Sequence, residues 1–218
     1  MGTKYLTCVV KAGEYKIAQF GRSDGYPQGA GTKILKFLKR VDLTTFAENV
    51  SQLCFYTDEE SVQINKEVGS YMGSIQGEKW DAIRKEDNKR YRNPTTELND
   101  KYFSQPYIHV QSKLGWEILE LIMRGNTPPL DNNVKFAGDS LFCEWVYVID
   151  LDENQLEVYR GFNKEPVPEG ERFANFEGEQ PGDFEWRDSY YPVKHMVTFE
   201  LDRLPSEEDF LERCSESQ

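Results

Sequence analysis

Apolar positions in the first twenty residues fall into two short runs, Tyr5 to Val10 and Glu14 to Phe20, both rich in β-branched and aromatic side chains. Lys11-Ala12-Gly13 between them is a short connection with a turn glycine, so the pattern predicts a β-hairpin. Period-two alternation puts Tyr15, Ile17 and Gln19 on one face. After Gly31 the period lengthens. Ile34, Leu35, Phe37, Leu38 and Val41 make one stripe and predict an amphipathic helix with Thr32 as its N-cap. Phe46, Val50 and Leu53 predict a second helix, with Thr45 and Glu48 at capping-box spacing. Thr57 and Glu60 repeat that spacing and open a third helix towards Gly69 or Gly73. The polar stretch Glu78 to Tyr91, anchored by Trp80, Ile83 and Tyr91, reads as an exposed helix stopped at Asn93-Pro94.

Leu114 to Met123 is apolar nearly all round and predicts a buried helix, ended by Gly125 to Pro129. A second hairpin follows, Leu141 to Asp150 against Leu156 to Phe162, with Asp152 to Gln155 as its turn. Val193 to Leu201 reads as the last strand, and Pro205-Ser206-Glu207-Glu208 opens a final helix ending near Cys214. The order predicts an α+β fold over residues 1–218 as a single domain. Its antiparallel sheet is built from two hairpins and a C-terminal strand, with helices packed on one side.

Composition supports a folded chain: aromatics make up 13% of 218 residues, enough to fill a core. No apolar run is long enough to span a membrane, and the N-terminus has no signal-peptide pattern. Leu6 stands where a myristoylation motif beginning at Gly2 wants Ser or Thr. These features predict a cytoplasmic protein without a membrane partner. Cys8, Cys54, Cys143 and Cys214 are scattered and predict reduced, mostly buried thiols. Two histidines, His109 and His195, far apart, give no metal-ligand spacing, so no metal or cofactor is expected.

The net charge of -12 is uneven. Residues 1–109 hold 16 Lys and Arg against 14 Asp and Glu, leaving 10 against 24 for residues 110–218. That balance argues against a direct nucleic-acid partner, which wants cations facing phosphates. It leaves room for an anionic small molecule near the N-terminal half and for a basic protein partner, or a decoy role, at the acidic half. Residues 165–188, with eight acids and three prolines, read as a long solvated loop.

The most unusual stretch joins the second strand to the first helix, Gly21 to Lys33. Its glycines can bring backbone amides to an anion at a helix N-terminus. The candidate ligand-binding residues are Arg22, Ser23, Asp24, Gly25, Tyr26, Gly29, Gly31 and Lys33. Arg22 and Lys33 supply charge, Ser23 a hydroxyl and Tyr26 a stacking face. The stretch is not a P-loop, because Thr32 precedes Lys33 and the glycine spacing differs. The same glycines equally suit turns and a crowded helix start.

The opening Met1-Gly2-Thr3-Lys4, the run Ala18-Gln19-Phe20-Gly21 and Asp24-Gly25-Tyr26-Pro27 with Gly29 and Gly31 resemble an uncharacterised family of bacterial and phage proteins. That family opens MGTR and carries AQYGxxDGYPxGxG; Phe136 to Trp145 is similar to it as well. The resemblance implies a coherent family, of phage or bacterial defence or counter-defence type, and supplies no mechanism. The layout is also similar to that of N-terminal-nucleophile hydrolases, with Thr3 or Gly2 in the place of the catalytic residue. Those enzymes need Cys, Ser or Thr at the mature N-terminus, whereas removal of Met1 leaves Gly2. Cys143, flanked by Phe142 and Trp145, reads as structural rather than as a thiol paired with His109 or His195. Asp139 and Glu144 are either loop caps or neighbours of the glycine-rich loop. Three functions stay open: a binding protein for a nucleotide-like anion, an acidic interaction protein, and a hydrolase.

Overall fold

Two strands buried on both faces form the middle of the sheet, as their unbroken apolar sequences demand: β1, Tyr5–Lys11, and β3, Trp145–Asp150. The computed structural model describes residues 2–57, 59, 60, 62, 114–125, 127, 129–176 and 190–215. With β2 (Glu14–Gly21), β4 (Gln155–Arg160) and β5 (Lys194–Glu200) they make a five-stranded sheet in the order β2-β1-β3-β4-β5. Strands from both ends of the chain therefore share one sheet, and the fold is α+β.

The sheet is mostly antiparallel, as expected, and is mixed through one parallel pairing that the two-hairpin description did not include. β1 pairs with β3 in parallel, Tyr5 opposite Trp145 through Val10 opposite Asp150. β2 already occupies the other edge of β1, and the long path between β2 and β3 returns the chain to the end where β1 begins. The other three pairings are antiparallel.

The first hairpin also departs from simple alternation. Val9 faces Ile17 but Val10 faces Tyr15, so Lys16 is an extra, bulged residue. Ile17 consequently joins the helical side while Tyr15 crosses to the opposite face and stacks on Phe173 at 6.4 Å. The two-residue turn has φ 56° at Ala12 and 73° at Gly13. Their N–H groups donate to the Asp152 carboxylate at 3.0 and 2.8 Å, which ties the first hairpin turn to the second.

Four α-helices are described. α1 (Thr32–Arg40), α2 (Leu43–Ser51) and α3 (Ile118–Met123) bury the predicted stripes against one face of the sheet. α4 (Glu207–Ser215) closes the same layer with Phe210 and Cys214. Two cap assignments change. α2 starts at Leu43 because Asp42 accepts the Thr45 N–H at 2.7 Å, so Thr45 lies inside the helix and does not cap it. Thr32 is likewise inside, its hydroxyl donating back to the Gln28 and Gly29 carbonyls at 3.0 and 3.2 Å. The Thr57–Glu60 box does form, with reciprocal bonds of 2.8 and 3.2 Å. The helix expected beyond it, the helix over 78–91 with its stop, and His109 lie outside the described residues.

The opposite face of the sheet is covered too, by a short 3-10 helix at Val134–Gly138 and by irregular segments. Ala137, Cys143, Phe173 and Val193 are buried there against Leu6, Cys8, Val146 and Val148. Residues 165–170 are mostly exposed, as the solvated-loop reading expects, whereas Arg172 and Phe173 pack against the sheet, which corrects that reading for residues 171–176. Residues 177–188, with Glu177, Glu179, Asp183 and Glu185, lie outside the described residues. Arg172 fastens the cover. Its guanidinium donates to both Glu157 oxygens at 2.7 Å and to Asp150 at 2.5 Å, while the Tyr159 hydroxyl donates to Glu157 at 2.6 Å. All three charged side chains are largely out of water, with 19%, 11% and 5% exposure for Arg172, Glu157 and Asp150.

Removing one partner of a buried ion network strands the others, at a cost of about 3–5 kcal/mol. Arg172→Met is therefore expected to lose about 3 kcal/mol of unfolding free energy, read from urea midpoints. Adding Glu157→Leu to that variant is expected to recover part of the loss. A single variant within about 0.5 kcal/mol of wild type would show that the cover does not depend on this network.

Candidate functional site

The glycine-rich loop is built around the side chain of Tyr5. Tyr5 begins β1, is 3% exposed, and its hydroxyl accepts the Trp116 N–H at 3.1 Å. Its ring fills the space in which other residues would carry a Cβ. A Cβ on Gly21 would come within 2.0 Å of the ring, and one on Gly115 within 2.1 Å of the hydroxyl. The second tyrosine of this core, Tyr147, meets Tyr5 edge-on at 6.4 Å and donates to the Gly25 carbonyl at 2.8 Å. Two buried aromatic hydroxyls thus each find a backbone partner in this region, as burial requires.

From that base the loop folds back on itself. Gly25 N–H donates to Thr3 O at 3.0 Å, Gly29 N–H to Tyr26 O at 2.9 Å, and Ala30 N–H to Asp24 O at 2.7 Å. A Cβ on Gly29 would lie 2.1 Å from that Asp24 carbonyl. Asp24 itself is left-handed, φ 59°, a conformation Asp tolerates better than most residues. Pro27 to Gly31 make one wide helical turn in which the Thr32 N–H reaches Pro27 O, five residues back, before α1 continues. Gly31 closes that turn against Phe210 and the Tyr147 hydroxyl.

These bonds sort the eight candidate residues. Gly25, Gly29 and Gly31 point inward and are packing positions; the amides of Gly25 and Gly29 already have carbonyl partners. Arg22, Ser23, Asp24, Tyr26 and Lys33 are exposed and lie on the outward side. The Tyr26 hydroxyl donates weakly to Asp24 at 3.4 Å. Lys33 Nζ stands 5.6 Å from the centroid of the Trp116 ring.

Trp116 and Glu117 were not singled out from the sequence, where they look like part of a buried helix. Gly115 has φ 52°, which separates them from the regular turns of α3 and sets the 115–117 turn beside Gly21 and Tyr5. Glu117 is half-buried, and desolvation raises its carboxyl above the usual carboxylate range, opposed in part by the charge of Lys33. An acid next to a Gly-Trp step inside an apolar run was the available signal.

The remaining sequence candidates lie elsewhere. Glu144 accepts the Lys4 N–H at 3.2 Å and caps the entry to β1, while the Asp139 carbonyl accepts the Phe142 and Cys143 N–H groups. Cys143 is fully buried, its thiol 3.7 Å from Trp145 O, and burial pushes its pKa up. His195 instead sits 2.8 Å from the Thr198 hydroxyl and edge-on to Tyr159 at 5.3 Å. The structure does not bring Cys143 and His195 together as a thiol pair. Cys8 and Cys214 are buried and Cys54 is exposed; burial pushes the Cys214 thiol up to about 12. Among the described residues no helix is long and apolar enough to cross a membrane.

Comparison with protein-family models, curated proteins and solved structures finds no match to this chain.

Two outcomes follow from the loop geometry. Gly29→Ala must displace the Asp24 carbonyl and is expected to cost about 1–3 kcal/mol in chemical denaturation, whereas Arg22→Ala changes stability by no more than about 0.5 kcal/mol. Equal effects of the two would refute the inward–outward division. Glu117 has a raised folded-state pKa, so its charged form opposes folding above its ordinary pKa and that cost disappears below it. Glu117→Gln should therefore be more stable than wild type near neutral pH, with the gain vanishing as pH falls through the ordinary carboxylate range. A gain independent of pH would trace to something other than this charge.

Proposed function

We propose that the chain is a binding protein for a small anionic molecule with a planar ring, of nucleotide type, held on the outward side of the 22–28 loop. The observation that carries this reading is the inward–outward division of the loop. Gly21 and Gly25 are packed on Tyr5, Gly29 on the Asp24 carbonyl and Gly31 on Phe210 and the Tyr147 hydroxyl, while Arg22, Ser23, Asp24 and Tyr26 are left exposed on the outward side. Preorganisation of this kind lowers the entropy lost on binding. A wide turn at a helix entry, as at Pro27–Gly31, also recurs at functional sites.

The recognition chemistry shifts from backbone to side chains. With the Gly25, Gly29 and Ala30 amides bonded inside the loop, the anion falls to Arg22, Lys33 and the Ser23 hydroxyl. Tyr26, 40% exposed, offers a ring face, and Lys33 stacked near Trp116 sets a cation beside a second ring. The Glu117 carboxyl lies close enough to Lys33 for the two charges to attract, which keeps a negative group beside the cation.

Titration calorimetry with nucleoside mono-, di- and triphosphates tests the reading. Lys33→Met and Tyr26→Ala are each expected to weaken binding at least about fivefold while moving Tm by no more than about 2 °C. Absence of heat with every nucleotide, or identical affinities for wild type and both variants, would end it.

A further inference from the structure

One end of the sheet gathers rings and cations. There β1, β3 and β5 begin and β2 and β4 end, so the glycine-rich loop shares this end with residues 140–145, 160–164 and 190–194. Three cations stand over rings along it: Lys4 over Phe142 at 4.8 Å, Arg160 over Trp145 at 5.8 Å, and Lys164 over Tyr190 at 5.5 Å. Tyr26, Phe162 and Tyr191 project beside them, 40%, 49% and 42% exposed.

Phe162 is the residue that needs explaining. Its φ is 55°, left-handed, in a bulky side chain that adopts this conformation rarely. The conformation is imposed from below. Phe162 N–H donates to Ser140 O at 2.7 Å, and Asn163 N–H to the Ser140 hydroxyl at 3.2 Å. The Asn163 side chain donates to Pro192 O at 2.9 Å, and the Asn163 backbone carbonyl accepts the Tyr191 N–H at 2.9 Å. Ser140 and Asn163 are both buried. Buried hydrogen bonds thus fix two neighbouring loops so that a strained phenylalanine and a tyrosine face solvent. Strain held by surrounding structure at a side chain left half-exposed points to use.

We propose that this sheet end is a binding surface for single-stranded nucleic acid, with bases stacking on Phe162, Tyr191 and Tyr26 and phosphates meeting Arg160, Lys164 and Arg22. It rests on the nucleotide-type reading of the loop and extends it from one nucleotide to a strand. The distribution of rings favours this occupant over a protein. Protein hot spots cluster aromatics at one centre inside a polar rim. Here the exposed rings are spread from one edge of the sheet end to the other, at the ends of β2, β4 and β5 with neighbouring strands about 4.8 Å apart, and Lys4, Arg160 and Lys164 lie at the same end over the neighbouring rings of Phe142, Trp145 and Tyr190. Spread planar faces interspersed with cations suit a polymer of bases and phosphates. A duplex hides those faces and gains nothing from the rings.

The net charge of -12 shapes the affinity without abolishing it. At physiological salt, charges beyond about 8 Å are largely screened, so distant acids act weakly. Few phosphates are neutralised, stacking carries most of the binding, and the salt dependence is shallow.

The test is fluorescence anisotropy with fluorescein-labelled octathymidine at several salt concentrations, with unlabelled thymidine monophosphate and a duplex of equal length as competitors. Octathymidine is expected to bind at least about tenfold tighter than the monophosphate and the duplex, with a log–log salt slope no steeper than about -3. Phe162→Asn is the decisive variant, because Asn accepts left-handed φ and the fold is expected to be at least as stable. It should lose at least about fivefold in octathymidine affinity and leave monophosphate binding unchanged. Monophosphate bound as tightly as octathymidine, or an unchanged affinity in Phe162→Asn, overturns the strand proposal and leaves the single-nucleotide site standing. No binding of octathymidine overturns the strand proposal, and the single-nucleotide reading is then decided by the calorimetry with mono-, di- and triphosphates. Loss of self-association in Phe162→Asn, with octathymidine ignored by wild type, would assign the surface to a second copy of this chain instead.

Discussion

Burying Tyr5 and Tyr147 side by side beneath the glycine-rich loop is the constraint on which the rest of the structure depends. Each ring is too large for ordinary side chains around it, and each hydroxyl must find a partner once out of water. The Tyr147 hydroxyl takes the Gly25 carbonyl, and that of Tyr5 takes the Trp116 amide. These bonds draw the loop, the start of α1 and the 115–117 turn to one point. The glycines are the steric counterpart of the tyrosines: Gly21 and Gly115 leave the space that Tyr5 fills. Position of the candidate site and packing of the core are one arrangement.

The sheet that carries these tyrosines is covered on both faces by different means. The helical side follows amphipathic periodicity, with Phe37 and Phe46 meeting edge-on at 5.3 Å. The other side has no such periodicity, and its cover is held by a few long-range contacts. Phe173 packs between Tyr15 and Tyr159, and Arg172 reaches the Glu157 and Asp150 carboxylates on β4 and β3. A buried ion network is a poor source of net stability but a demanding one geometrically, since each charge tolerates few alternatives. It specifies where an otherwise featureless segment lies.

This difference explains what could be read in the sequence. Strands β1 to β5, the stripes of α1 and α2, the Ser206 start of α4 and the Thr57–Glu60 box rest on local patterns, and local patterns are legible. The parallel β1–β3 pairing is a long-range event between segments some 140 residues apart, which no local signal encodes. The bulge at Lys16 inverts the face of Tyr15, and a polar lysine between apolar neighbours looks like normal alternation. Arg172 and Phe173 sit in acidic, proline-rich company that reads as solvated, so burial there depended on partners far away. Of the loop, the glycine-rich character was visible in the sequence and the inward–outward division of its residues was not. Whether a glycine cradles an anion or yields to a tyrosine depends on what lies under it, and Tyr5 is sixteen residues earlier than Gly21.

Packing and recognition are therefore not competing explanations of the loop. A loop free to rearrange would lose entropy on gripping a ligand, whereas one fixed from beneath has already lost it on folding. The same logic holds across the sheet end at Phe162, where Ser140 and Asn163 do for that loop what Tyr147 and Thr3 do for Gly25. In both places polar backbone groups are satisfied internally and the side chains are left to face outward. In the proposed function, a surface built this way would discriminate by side-chain chemistry, through cations, hydroxyls and ring faces. It is correspondingly sensitive to substitutions that leave the fold intact, because the outward residues contribute little to the packing that holds them.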